Sequence, residues 1–540
     1  MSIQSVKTPF SKMSFTPDIP SAALGPNEYN AGLNVETDTR GLKKIFGEQD
    51  VLSVIPSDPI FITGNFRLNG VWWFVVGCID GTWHGITSSG IIELTPLATS
   101  YIIDQYSHST PITSNWNGDV LFINDNINPP MYLLPTDTSI RLYDYSYPDQ
   151  TPNVYTWNYY ASQGWTNLTA GFQRVYSAPN IGSVLVAGNL TYEQDGLTKN
   201  APNTIRWSQN FGLNSGPTTW APTINNIANE VDVPVRGPLL DGFAINGNFY
   251  MFSYWDCCVL TPIAYTSTQA PVFGISPVTQ NRGILNENCF AINDGMVFGL
   301  DSSDIWILEQ GTFREIGNQR VKNFFYGNLN TAHYDQVFMT NNTHRNQIEI
   351  YYPDLSSADG RCNKMLSYRY DLDCWNPPRE VNNATSACES PIFNPDTGLP
   401  NISNRGVVYV HGGADKKIVQ KDIGNGFFDG TTSTNINSYF RRDNINFGEP
   451  YSNKVQTHRV LPEVAGTGTF TIQVGGANSV GQTPEFNTNV TMFIDTDNPW
   501  IQTVQNTHRV TSIIAGSNDS TGTWILTQAN WQITVTEDDR

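Results

Sequence analysis

A chain of 540 residues with 12% aromatic residues, 44 glycines and 32 prolines is rich in strand and turn formers. Its formal net charge of −19, from 30 Lys plus Arg against 49 Asp plus Glu, excludes a protein that wraps nucleic acid, because phosphate binding needs a basic footprint. No apolar run approaches the ~20 residues that span a bilayer, and Met1-Ser-Ile-Gln-Ser-Val-Lys-Thr-Pro lacks the apolar core of a secretory signal.

The length predicts several domains or one large all-β body. Residues 1–50 carry no clear periodicity and are punctuated by Pro9, Pro17, Pro20 and Pro26. They read as an extended N-terminal arm, or a strand lent to a neighbour. Near its end, Arg40, Lys43 and Lys44 form a candidate partner contact, with a solvated loop as the plainer account.

Residues 51–137 read as the first part of a β-propeller. Gly70-Val-Trp-Trp-Phe-Val-Val-Gly, Gly81-Thr-Trp-His-Gly-Ile and Gly90-Ile-Ile-Glu-Leu are short apolar strands joined by turns. Residues 138–200 interrupt this rhythm and read as an insertion or platform. Its Trp157, Tyr159 and Tyr160 are candidates for a binding face, since aromatic rings anchor sugars and partner proteins.

The second part of the propeller spans 201–440. Between Pro238 and Gly317, runs of four to six apolar residues alternate with Asn-Gly, Asp-Gly and Gln-Gly, the residues that accept the positive φ of a hairpin turn. Six or seven blades fit, closing a ring and so removing open sheet edges. In the last hundred residues, 441–540, Thr-His-Arg-Val occurs at 457–460 and again at 507–510. That repeat predicts two related strands of one sheet, in a C-terminal β-sandwich-like domain.

Chemistry is sparse in this text. The seven cysteines show no metal-ligand spacing, and the adjacent Cys257 and Cys258 should face opposite ways along a strand. Asp301-Ser-Ser-Asp304 and the pair Asp354 and Asp359 could hold calcium, but hairpin turns explain them more simply. The seven histidines lack ligand spacing. Ser517-Asn-Asp-Ser-Thr-Gly-Thr-Trp524 and Asp80-Gly-Thr-Trp83 approach the turn motif of sialidase propellers without its full spacing. No pair of carboxylates stands out for glycoside hydrolysis. The reading is therefore of a non-enzymatic protein with no catalytic residue, metal site or cofactor.

Asn203-Thr-Ile-Arg-Trp-Ser, Thr219-Trp-Ala-Pro, Asn226-Ile-Ala-Asn, Gly237-Pro-Leu-Leu-Asp-Gly-Phe and the strands at 288–318 resemble the tail nozzle, or tail tubular, proteins of short-tailed bacteriophages. The resemblance covers roughly 200–380, with a weaker echo from Lys454 to Trp531. It implies a β-propeller with added domains, six copies of which ring the end of a short tail. Such a ring docks on an adaptor (head-to-tail connector) protein below the portal, offers surfaces to fibres or spikes, and surrounds the channel through which genomic DNA leaves. The expected location is the virion tail, after synthesis in the host cytoplasm. The family supplies no catalytic residue, and this chain is shorter than the long nozzle proteins. The other reading is a receptor-binding adhesin or glycan-degrading tail component.

Overall fold

The computed structural model describes residues 3–52, 54–67, 69–142, 165–194, 197–220, 226–263, 272–394, 399–428, 433–447, 453–479, 481–494 and 501–536. Five four-stranded antiparallel sheets follow one another along the chain, each joined only to its sequence neighbours. Blade 1 runs from Pro59–Phe66 to Gly90–Glu93, and blade 2 from Thr113–Asn117 to Arg141–Leu142. Blade 3 runs from Trp165–Ala178 to Asn229–Asp232, blade 4 from Leu239–Ile245 to Phe273–Thr279, and blade 5 from Phe290–Asn293 to Thr312–Glu315.

The next sheet has seven strands because one strand serves two blades. Cys374–Phe393 pairs through residues 374–384 with Cys362–Arg369, then through 384–393 with Pro400–His411. Its first half is thus the outer strand of blade 6, which begins at Phe338–Asn342, and its second half is the inner strand of blade 7. The outer strand of blade 7 is Glu48–Val51, whose partner is Lys417–Lys421. Among the described residues the propeller therefore has seven blades, and the N-terminal segment completes the last one. The inner strand of blade 7 reaches back to blade 1, where Thr385 Oγ1 donates to the Pro59 carbonyl at 2.7 Å.

Turn chemistry decides the hairpins. Asn246-Gly247, Asp294-Gly295 and Gln310-Gly311 each place two consecutive residues at positive φ, the geometry that matches the twist of the flanking strands. Gly299 meets a second demand: a Cβ there would lie 2.1 Å from the ring of Trp306, which packs flat across the blade. Cys257 joins the core shared by blades 4 to 6, while Cys258 joins the core between blades 3 and 4, so the neighbouring thiols do face opposite ways.

Among the described residues, the C-terminal segment and four strands from the N-terminal segment form a sandwich of two six-stranded sheets. Lys454–Thr467 lies between Ile501–His508 and Thr523–Thr536 in one sheet, which brings the first Thr-His-Arg-Val beside Thr507 and His508 of the second. Val510 already belongs to the other sheet, in Val510–Asp519. Trp524, Leu526 and Trp531 from the first sheet meet Phe440, Phe470 and Ile513 from the second in one apolar core. The sandwich begins at Ile436–Ile445, slightly before the expected 441.

Two expectations need correction. Residues 1–50 are not a projecting arm. Gln4–Pro9, Val35–Thr37 and Leu42–Lys44 join one sandwich sheet, and Ala31–Leu33 joins the other. The strands are lent, but within the same chain. They read as aperiodic because runs of three to six residues are dealt out to two different sheets. The insertion expected at 138–200 also contracts. Arg141–Leu142 closes blade 2, and 165–200 belongs to strands of blade 3, whose bulges at 166–169 and 188–190 break the alternation.

Buried charge welds these parts together. The Arg379 guanidinium donates to Glu48 at 3.0 Å and to Asp422 at 2.8 Å, and Tyr409 donates to Glu48 at 2.8 Å. Arg345 lies 3.6 Å from Asp422 and 3.8 Å from Glu36 of the sandwich. Lys421 donates to Glu349 at 2.6 Å, and both side chains are fully buried. This clasp holds the closing strand Glu48–Val51 against blades 6 and 7.

Candidate functional site

The cavity on the propeller axis gathers side chains from five blades. It encloses about 200 Å³. Its walls are the starts of five inner strands or the residues just before them. Ile60–Thr63 come from blade 1, His108, Thr110–Ile112 and Ser114 from blade 2, Glu287 and Asn288 from blade 5, Asp335–Met339 from blade 6, and Thr385–Cys388 from blade 7.

Blades 3 and 4 contribute a plug instead. Arg174, on the inner strand of blade 3, makes two bonds to Asp241 of blade 4, at 2.8 and 2.6 Å. It also donates to Asn288 Oδ1 at 3.0 Å and to the Ser114 carbonyl at 2.9 Å. Asn288 in turn donates to the Ile112 carbonyl at 2.9 Å. One guanidinium thus ties four blades together, and its paired, hydrogen-bonded charge is the arrangement a buried Arg requires.

Glu287, half-exposed beside this plug, is attracted by the Arg174 charge but accepts no hydrogen bond from it. Apart from its own backbone N–H, no group among the described residues donates to its carboxylate. Burial pushes this carboxyl up to about 7, and the negative charges of Asp241 and Asp335 add to the effect. Asp335 is exposed at the cavity wall. His108 lies 3.0 Å from the Arg361 guanidinium and 3.7 Å from Asp58. Burial, reinforced by Arg361, lowers its pKa, so the imidazole is neutral at pH 7. An isolated titratable carboxyl in a small polar cavity is equipped to bind a donor or to exchange a proton.

The residues singled out from sequence lie elsewhere. Lys44 is buried and donates to the carbonyls of Asp519 and Gly522, at 2.5 and 2.9 Å, so it stitches the sandwich and is not a partner contact. Lys43 pairs with Glu36 and Asp38 at 3.3 and 3.2 Å. Arg40 alone of the three is well exposed. Trp157, Tyr159 and Tyr160 lie outside the described residues. Asp301 accepts from the backbone N–H groups of Ser303 and Asp304, and Asp354 from that of Ser356, which are turn bonds and not ion cages. Asp359 pairs with Arg361 at 2.6 Å. Among the described residues no group of three His, Cys, Asp or Glu could hold a metal ion.

The axial residues were missed because single positions in distant blades form the site, and no motif joins them. One signal was available: Glu287 and Asp335 each sit three residues before an apolar strand that begins a blade.

No protein-family model and no curated protein matches the sequence. Among solved structures, the exo-β-1,3-galactanase of Phanerochaete chrysosporium, determined with galactose, is similar at 8% identity. The match covers 91% of this chain and 100% of that one, with a TM-score of 0.24, too low to bear on function.

Proposed function

We propose that this chain is a structural subunit of the tail nozzle of a short-tailed bacteriophage, six copies of which form a ring around the path of the leaving genome. The observation that carries the reading is the nozzle-like text of 203–318, which falls on blades 3 to 5. The interlocked chain suits the role. A subunit that transmits force along a tail gains from having its N-terminal segment woven into both the sandwich and the last blade, with buried charge sealing the join.

The channel then runs between copies, because the propeller's own axis is plugged by Arg174 and holds only about 200 Å³. Six copies at −19 each carry −114. Where that charge faces the channel it repels the DNA backbone and lets the duplex slide. The remaining surfaces serve the adaptor and the fibres or spikes.

Native mass measurement of the purified assembly tests this reading, with six copies expected. Three copies, or release of reducing sugar from host polysaccharide, would instead favour a receptor-binding adhesin or glycan-degrading tail component. Imaging of the virion adds a second check: an axial ring supports the nozzle, and peripheral spikes overturn it.

A further inference from the structure

The crossover from blade 1 to blade 2 is anchored at both ends and latched between them. Tyr101 donates to the Gly81 carbonyl at 2.7 Å, and the buried Tyr106 donates to Asp125 of blade 2. Ile112 is buried as well, and its carbonyl accepts from Asn288 at 2.9 Å. Residues 107–111 lie between these anchors and form a turn closed on itself. The Ser107 N–H donates to Thr110 Oγ1 at 2.8 Å, and the Thr110 N–H to the Ser107 carbonyl at 3.1 Å. Ser107 and Ser109 are exposed, whereas His108, Thr110 and Pro111 line the axial cavity, so this turn stands between the cavity and solvent. Among the described residues, His108 is the one side chain of the turn that bonds outside it: its Nε2 accepts from the Arg361 guanidinium at 3.0 Å.

We propose that residues 107–111 are a flap over the axial cavity, held shut by the His108–Arg361 hydrogen bond and freed when His108 takes up a proton. The bond needs the lone pair of Nε2, so the proton of the neutral ring sits on Nδ1, an atom buried without a partner among the described residues. A second proton must go to Nε2. There it removes the acceptor and sets a cation against the guanidinium. The neighbouring carboxylates do not restore the contact. Asp58, 3.7 Å from Nε2, already accepts from Arg361 and from the Gly413 N–H, both at 2.7 Å. Asp359 accepts from Arg361 at 2.6 Å. Glu287 and Asp335 face the same cavity, and neither is bonded to His108. His411 of blade 7 faces the same Arg361 and Asp58, with Asp415 at 4.0 Å as its own acid. Burial first, then Arg361, holds the His108 imidazole below its ordinary 6.5 against the pull of Asp58 and Asp359. The closed flap therefore binds fewer protons than the open one. Closure is complete above pH ~6.5 and is lost as pH falls below it.

Hydrogen exchange read by mass spectrometry on the full-length protein, corrected for the intrinsic effect of pH, tests the flap. Protection of residues 107–112 should fall at least fivefold between pH 7.5 and 5.5. Protection of 101–106, tied to Gly81 and Asp125, should change less than twofold. His108→Gln cannot gain a charge and should leave 107–112 equally protected at both pH values. His108→Lys carries its cation throughout and should show the acid level of protection already at pH 7.5. The pH series on the unaltered chain keeps the test decisive even where a variant folds poorly. Equal protection of 107–112 at the two pH values, a loss that extends equally to 101–106, or an undiminished pH dependence in His108→Gln would each overturn the proposal.

Discussion

The clasp between blades 6 and 7 buries its carboxylates, whereas the cavity on the propeller axis holds Glu287 half-exposed, and the two satisfy their charge differently. In the clasp, Glu48 accepts from Arg379 and Tyr409, and Glu349 accepts from Lys421, Tyr351, Asn342 and Gln347. On the axis, Arg174 and Asp241 are matched while Glu287 is not. Saturation turns buried charge into fixed geometry. The contrast separates a structural polar cluster from a candidate site without appeal to motif.

The largest effect should come from removing the segment that both the clasp and the sandwich depend on. Deleting residues 1–51 takes strands from both sandwich sheets and the outer strand from blade 7. It also exposes the core around Phe10, Met13, Phe15 and Tyr29. The truncated chain should give no cooperative thermal transition and elute as aggregate in size-exclusion chromatography. A monomer with an intact melting transition would show that the weave is dispensable.

Next in size is the clasp itself. Arg379→Met leaves Glu48 and Asp422 buried without their main cation, which should cost about 3–5 kcal/mol in urea unfolding. Adding Glu48→Gln should recover part of the loss. Acid gives a second view of the same pair. Burial raises the Asp422 carboxyl, but Arg379, Arg345 and Lys421 outweigh it and hold the group well below its ordinary 3.8. Its stabilisation is therefore complete above pH ~4 and lost as pH falls below that value. Urea midpoints should stay level from this group down to pH ~4 and decline below it, from pH ~4 to ~2, in the unaltered chain and less so in Arg379→Met.

The sequence disclosed the hairpins because their chemistry is local. Asn246-Gly247 and Asp294-Gly295 declare positive φ within two residues. It left the blade number open because Cys374–Phe393 belongs to two blades and Glu48–Val51 closes a sheet whose other strands lie far along the chain. Lys44 looked like surface because charge in loop-like text usually is. Only the packing of the strand Leu42–Lys44 beneath the 519–522 turn shows it buried. Glu287 had no local signature at all. Its meaning depends on Arg174 having already paired with Asp241, which is a statement about three blades and not about any stretch of sequence.

The smallest predicted effect is opposite in sign to the clasp and so sharpens the contrast most. Glu287 has a folded-state pKa of about 7 against an ordinary 4.5, so the folded protein binds this proton more tightly than the unfolded chain. Stability from this group is fully present below pH ~4.5, declines as pH rises, and is lost once pH passes about 7. Glu287→Gln removes that dependence. The variant should match the unaltered protein near pH 4.5 and exceed it by roughly 1 kcal/mol at pH 8, since a neutral side chain escapes the desolvation and the repulsion by Asp241 and Asp335 that disfavour the charge. Urea midpoints at the two pH values read the difference directly. If Glu287→Gln instead destabilises the protein at pH 8 as Arg379→Met does, the carboxylate is held by the fold and the axial cavity belongs with the clasp.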